Sequence, residues 1–430
     1  MSAFDLNPPR GTRDLVGREA KVFMWLFEEF KKTAEARGFE PIITPTIEYS
    51  RLFELKSGEE IKRTMYVFED KGGRLIALRP EVTASVVRAY LRALRGEPKP
   101  IRLYYIAQCF RYDEPQRARY REFWQGGLEV IGDPDVNADV AAAEAASRFL
   151  EGIGLEHYYA VGNVAPYRAF MGAMGVPSDD QDHILHLIDK GRVEDAVKFA
   201  GEKYGTRLAE LLKKLISTKL EDLERLVEEH GELLGAFRSH VESEVERTVA
   251  FIEVLSELGY RATYDPLLVR GLAYYTGLIF EYKTPRLDVS IGGGGRYDGL
   301  TSVYREGVFE YSTGLALGID RIALALGEST GAFGGASKVL VITTHNVPLS
   351  SPYKIARRIA DLGFSVSVHR SDDIGKALRL ANRLNVKLVV IYGRRELERQ
   401  SVILKDMATG TQYEFKIDDE RLLEMLRRSA

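Results

Sequence analysis

Apolar residues Val22, Phe23, Leu26, Phe27, Phe30 and Ala34 recur at helical spacing and predict an amphipathic helix over residues 18–37, which Gly38 is placed to stop. The run that follows, "FEPIITPTIEYSRLF", is extended but broken by Pro41 and Pro45. Proline gives no N–H to a ladder, so this run suits a sheet edge or an interface. "MYVFEDKGGRLIAL" predicts a hairpin turning at Lys71-Gly72-Gly73. "LRPEVTASVVRAYLRAL" predicts a helix carrying Val86, Val87, Tyr90 and Leu91, with Glu81 near its start.

"CFRYDEPQRARYREFWQ" then sets four arginines and three carboxylates among five aromatic rings. Side chains alternate along an extended segment, so Arg117, Arg119 and Arg121 are expected on one face. The Pro115-Gln116-Arg117-Ala118 break predicts a hairpin with a long tip, Arg111 on its incoming strand and Arg119 at the tip or on the outgoing strand. Such a stretch serves either as a salt-bridged, solvated hairpin or as a phosphate grip, because the guanidinium fork matches phosphate oxygens two at a time.

A helix around 137–153 follows "GGLEVIG", and residues from about 167 to 258 keep a helical pattern that reads as an insertion between strand-rich segments. Strand signals return at "TYDPLLVRGLAYYTGLIFEYK" and "LDVSIGGGGRYDGL"; "YSTGLALGIDRIALALG" starts extended and turns helical after Gly318. "GAFGGAS", residues 331–337, is a linker composition. Beyond it, strand and helix alternate as "KVLVITT", a helix 352–362, "FSVSVH", a helix 374–384 and "KLVVIYG", which predicts a small α/β module on a parallel sheet. The organisation is thus α+β: residues 1–330 with a helical insertion at about 170–258, the linker, and an α/β domain over 338–430.

At 430 residues the chain exceeds one ordinary core. Its net charge of −3 hides an asymmetry, since residues 336–430 hold 17 Lys and Arg against 11 Asp and Glu. A basic C-terminal module on an acidic body suits a polyanionic partner. Cys109 is the single cysteine, which excludes an intrachain disulfide and a cysteine-built zinc site. Neither a signal core nor a run of about 18 apolar residues is seen, so no membrane association and a cytoplasmic location are expected.

Several nucleotide motifs are missing. No G-x-x-x-x-G-K-[ST] occurs, and "IGGGGRYDG" fails G-x-G-x-x-G in every register. There is no H-x-G-H, and His183 with His186 in the insertion is a poor metal pair. What is left is phosphate handling by arginines on a sheet: Arg111, Arg119, Arg270 in "LVRGLAYYTG" and Arg321 in "GLALGIDR".

Taken in order, these segments resemble a known family. "FRYDEPQRARYREFWQGGLEVIG" resembles motif 2 of the class II aminoacyl-tRNA synthetases, "GFEPIITPTIE" their dimer-forming motif 1, and "TGLALGIDR" their motif 3. Within that class, "LRPEVTA", "LVRGLAYYTG" and "GGGGRYDGL" look like segments of the histidyl-tRNA synthetase family. The resemblance spans nearly the whole chain. Three positions depart from the family pattern: Asp113 and Asp320 stand where glutamate is common, and Ala273 where an aspartate is usual.

The resemblance implies a class II antiparallel sheet core with flanking helices, and an anticodon-binding module at the C-terminus. It implies activation of L-histidine by ATP with Mg²⁺, transfer to tRNA(His), and a homodimer formed through motif 1. Arg111 and Arg270 would be catalytic, flanking the α-phosphate. Arg119 and Arg321, with Arg111, would hold ATP. Glu81, Thr83, Gln125, Glu129, Tyr274, Tyr275 and Tyr297 would bind histidine together with Arg111 and Arg270. No metal ligand is assigned. Three rivals stand beside this reading: a non-catalytic synthetase-like regulatory subunit of histidine biosynthesis, a class II synthetase for another amino acid, and an RNA-binding module without enzymology.

Overall fold

The structure is a computed structural model that describes residues 6–55, 63–114, 118–269, 274–327, 338–417 and 419–428. Arg117, Arg270, Ala273 and the 331–337 linker lie outside the described residues. The chain divides into two compact units, Met1–Thr330 and Gly331–Ala430.

In the first unit the strands are β1 (Glu40–Pro41), β2 (Ile47–Tyr49), β3 (Tyr66–Glu69), β4 (Leu75–Leu78), β5 (Ile101–Phe110), β6 (Glu122–Ile131), β7 (Tyr158–Asn163), β8 (Ala262–Tyr264), β9 (Leu278–Thr284), β10 (Leu287–Arg296) and β11 (Ser312–Gly318). Eight of them form one sheet in the order β1-β5-β6-β11-β10-β9-β7-β8. The six central strands pair antiparallel, while β1 and β8 join the two edges in parallel. Pro41 ends the two-residue edge strand, as a residue without an N–H requires. A second, three-stranded sheet runs β2-β4-β3, and Asp70 closes its hairpin by accepting from the N–H groups of Gly72 and Arg74 at 2.8 and 3.0 Å.

Helix Gly17–Ala36 buries Val22, Phe23, Leu26, Phe30 and Ala34, the expected stripe. Gly38 follows at φ +75°, the left-handed conformation that turns the chain off the helix at low cost. Adjacent glycines on β6 thin the sheet from both sides. A Cβ on Gly126 would lie 3.2 Å from the Phe30 ring on one face, and a Cβ on Gly127 would lie 2.1 Å from the Tyr105 ring on the other.

A run of helices between Ala165 and Glu257 occupies the stretch expected to be an insertion. Their core, including Phe170, Ile184, Leu208 and Val245, is continuous with Tyr274, Tyr275 and Tyr297 of the main sheet region. The insertion is therefore packed into the body that carries those tyrosines. Strand β7, which the sequence reading passed over, lies just ahead of it; a Cβ on Gly162 would fall 2.1 Å from the Leu268 carbonyl.

The second unit contains β12 (Lys338–Thr343), β13 (Ser365–Arg370), β14 (Leu388–Tyr392), β15 (Ser401–Asp406) and β16 (Gln412–Lys416), ordered β13-β12-β14-β15-β16. The first three pair in parallel, as their alternation with helices predicts. Two further strands, β15 and β16, add antiparallel to these three, because a short helix (Arg394–Glu398) and a tight turn join them instead of crossover helices.

Candidate active site

One cavity opens over β5, β6, β10 and β11, and it gathers residues from distant parts of the chain: Glu81, Thr83, Arg111, Arg119, Gln125, Tyr274, Tyr275, Tyr297 and Arg321 all line it. Of the described residues that the resemblance assigns to ATP or histidine, Glu129 alone is not in the lining; it is hydrogen-bonded to two residues that are, Thr83 and Tyr297.

On one side stand the arginines. Arg111 follows the end of β5 instead of lying within it, yet its N–H still bonds the Arg121 carbonyl at 2.9 Å, which continues the ladder. Its Nε donates to the Pro80 carbonyl at 2.8 Å, and its guanidinium lies 5.4 Å from the Phe123 ring centroid. Arg321 donates to the Ser290 carbonyl at 2.7 Å and to the Ala118 carbonyl at 3.3 Å. Ala118 has φ +66°, an uncommon conformation for a residue with a Cβ, and its carbonyl ties the hairpin tip to Arg321. Arg119 is exposed at that tip. Arg121 serves the hairpin itself: it donates to the Asp113 carbonyl at 3.2 Å and stacks 3.8 Å over Tyr112.

On the other side stand buried carboxyl groups. Glu81 is 4% exposed and accepts from the Ala84 N–H at 3.1 Å, near the start of helix Thr83–Ala89. Burial raises its pKa, opposed by that N–H and by Arg111. Glu129 is fully buried; Thr83 donates to its Oε1 at 2.7 Å and the Tyr297 hydroxyl to its Oε2. Burial pushes its pKa up to about 8, with these two hydroxyls pulling it down and the Glu81 charge adding to the rise. Gly314, opposite Glu129 in the register, makes room, since a Cβ there would sit 1.8 Å from Oε2. Gln125 accepts from the Cys109 thiol at 3.1 Å, and burial keeps that thiol protonated by raising it to about 12.

The departing acidic positions differ in use. Asp113 lines the cavity. Asp320 has both oxygens occupied, Oδ1 by Arg13 at 2.8 Å and Oδ2 by the Trp124 N–H at 2.6 Å. Arg13 was missed from sequence. It lies 3.6 Å over the Tyr120 ring, and the Gly11 carbonyl nearby accepts from the Arg121 N–H at 2.8 Å, so the segment "PRGTR" clamps the hairpin to the helix Ile319–Leu326. The only hint in sequence was a glycine between arginines ahead of a helix. Tyr105, Tyr120 and Phe123 also line the cavity and were not picked out. The period-two pattern of β5 and β6 marks their faces but not which face is the cavity.

Arginines that can surround a polyanion, beside acids and hydroxyls that can satisfy a cationic, nitrogen-bearing molecule, suit the joining of an amino acid to a nucleotide phosphate. Comparison with known proteins agrees. Residues 11–322 match the family model for histidyl-tRNA synthetase, and residues 338–428 match that for an anticodon-binding domain. The chain is 34% identical to a histidine–tRNA ligase of Saccharolobus solfataricus over 98% of both chains, and 36% identical to one of Sulfolobus acidocaldarius over 97% of both. A crystal structure of histidyl-tRNA synthetase from Nostoc superposes with a TM-score of 0.74 at 20% identity, covering 99% of this chain and all of that one, which shows the shared fold. With family models covering both units and relatives this similar from end to end, the chain belongs to the histidyl-tRNA synthetase family.

Proposed function

We propose that the chain is a histidine–tRNA ligase. A carboxylate oxygen of L-histidine attacks the α-phosphorus of ATP, pyrophosphate leaves, and the 3′-terminal ribose hydroxyl of tRNA(His) then attacks the adenylate carbonyl and releases AMP. One observation carries this reading: Arg111, Arg119 and Arg321, drawn from the end of a strand, a hairpin tip and a distant helix, line the same cavity as Glu81, Thr83, Gln125 and the tyrosines.

Arg111 stands where it can bridge the histidine carboxylate and the α-phosphate, two anions that repel unless a cation lies between them. Arg119 and Arg321 hold the outer phosphates and so fix the line of attack. Arg270, placed by resemblance on the far side of the α-phosphate, would stabilise charge that grows only in the transition state. Glu81, Thr83 and Gln125 take the ammonium end, Glu129 a ring N–H, and Tyr274, Tyr275 and Tyr297 wall the imidazole. Among the described residues no group of three or more His, Cys, Asp or Glu could hold a metal ion. Mg²⁺ is proposed as a counter-ion of the ATP phosphates that would neutralise the pyrophosphate.

Ile47, Tyr49 and Phe68, which the strand register puts on one face of the three-stranded sheet, are all exposed apolar side chains, and Ile43 just ahead of that sheet is 97% exposed, which supports a homodimer through motif 1. The basic C-terminal unit would read the anticodon, with phosphate contacts positioning and base contacts specifying. No described helix is long and apolar enough to cross a membrane. Use of tRNA places the proposed reaction in the cytoplasm.

The test is exchange of radiolabelled pyrophosphate into ATP by the purified protein. Exchange that requires histidine, and is not supported by threonine or proline, is the expected result. No exchange at all would favour the regulatory-subunit reading, and exchange with another amino acid would reassign the substrate.

A further inference from the structure

Arg13 has no part in the reading above, yet its contacts reach the elements that carry the outer-phosphate arginines. Its Nη2 donates to Asp320 Oδ1 at 2.8 Å, and Asp320, with a side chain only 5% exposed, is the residue next to Arg321. The other oxygen of Asp320 accepts from the Trp124 N–H on β6 at 2.6 Å. The Arg13 guanidinium itself lies 3.6 Å over the ring of Tyr120, which lines the cavity directly after Arg119. Its Nε donates to Glu19 Oε1 at 3.2 Å, in the first turn of helix Gly17–Ala36. Two residues earlier the main chain joins in. The Gly11 carbonyl accepts from the Arg121 N–H at 2.8 Å. Gly11 itself stands at φ +87°, where a Cβ would fall 2.7 Å from the Arg121 side chain. Arg119 is thus bracketed: the Ala118 carbonyl before it accepts from Arg321, and the Tyr120 ring after it lies under Arg13.

Both arginines assigned to the outer phosphates therefore sit one position from a residue that Arg13 touches. Recognition of one triphosphate by two guanidinium groups depends on their spacing, because a shift of about 1 Å spoils the fork geometry. We propose that Arg13 is a positioning residue for ATP: it holds the hairpin against helix Ile319–Leu326 and so sets the distance between Arg119 and Arg321. Its flat guanidinium serves the stack on Tyr120 and the ion pair with Asp320 at once, which the compact ammonium of a lysine does not. Among the described residues its hydrogen bonds go to Asp320 and Glu19 and to none of the groups assigned to histidine, so its effect falls on ATP. This inference rests on the ATP site of the reading above and names a residue that gives that site its shape.

The experiment compares wild type with Arg13→Gln and Arg13→Lys, by calorimetric titration with ATP and by pyrophosphate exchange. Arg13→Gln is expected to weaken ATP binding and raise the KM for ATP about tenfold, while the KM for histidine holds. Arg13→Lys keeps a charge beside Asp320, which guards against misfolding, and is expected to weaken ATP binding about threefold. Wild-type ATP affinity in either variant would overturn the proposal, and so would a rise in KM shared equally by ATP and histidine, the mark of a structural role. A wild type that binds ATP but exchanges no pyrophosphate with histidine would instead overturn the ligase reading. The ATP titration still decides the role of Arg13 in that case, so the two failures are distinguishable.

Discussion

On the phosphate side of the cavity, Arg111 and Arg321 are steered by main-chain carbonyls of Pro80, Ser290 and Ala118 and remain partly open to solvent. On the amino-acid side, Glu81 and Glu129 are buried and held by an N–H and by hydroxyls. The arginines keep their charge whatever surrounds them, so their placement is all the fold must control. The carboxyl groups have charges that depend on burial, and burial pushes the Glu129 pKa up to about 8, so its proton balance is set by what enters the cavity, a cationic ligand favouring the ionised form. One side is preset, and the other responds to its ligand.

The largest effect that would sharpen this contrast comes from Arg111→Ala. It should lower the rate of histidine-dependent pyrophosphate exchange about 1,000-fold, because it removes a cation aimed at transition-state charge. A loss confined to KM would break the assignment of Arg111 to the chemical step. Arg270→Ala is expected to cut the same rate by about 100-fold. Near-wild-type exchange by that variant would leave the phosphate side with a single catalytic cation.

The amino-acid side makes a smaller prediction about pH. The folded pKa of Glu129 lies above its ordinary value of 4.5, so between these two values the native state keeps a proton that the unfolded chain gives up. The stability that this group contributes is complete below about pH 4.5 and is lost as pH rises toward 8, with a slope of at most about 1.4 kcal/mol per pH unit. Glu129→Gln should therefore lose less stability than wild type between pH 5 and 8, measured by denaturant unfolding with no ligands added. Parallel curves for the two proteins would show that Glu129 is already ionised and that the two sides of the site do not differ as described.

The order of elements along the first unit was readable because each carries a local signal. Helix Gly17–Ala36 has its stripe, the β3–β4 hairpin its glycine turn, and β11 followed by helix Ile319–Leu326 its change of period. Strand β7 and the antiparallel β15 and β16 were not read, because short runs of mixed polarity look alike in strands and loops until a neighbour pairs with them. Arg111, Arg119 and Arg321 stood out as residues of a chemical type in a motif. Tyr105 and Arg13 did not, since a buried tyrosine and an arginine ahead of a helix are ordinary until their surroundings are known.

By itself, the sequence determined the residue types and their order: the cations, the acids and the glycines that a ligase site of this family needs. Which groups share a cavity, which hydroxyl is already engaged and which carboxyl group keeps its proton were decided only by the tertiary structure. Those properties depend on burial and on contacts such as Thr83–Glu129 and Tyr297–Glu129 between residues 46 and 168 positions apart, distances at which neighbours in sequence say nothing about neighbours in space.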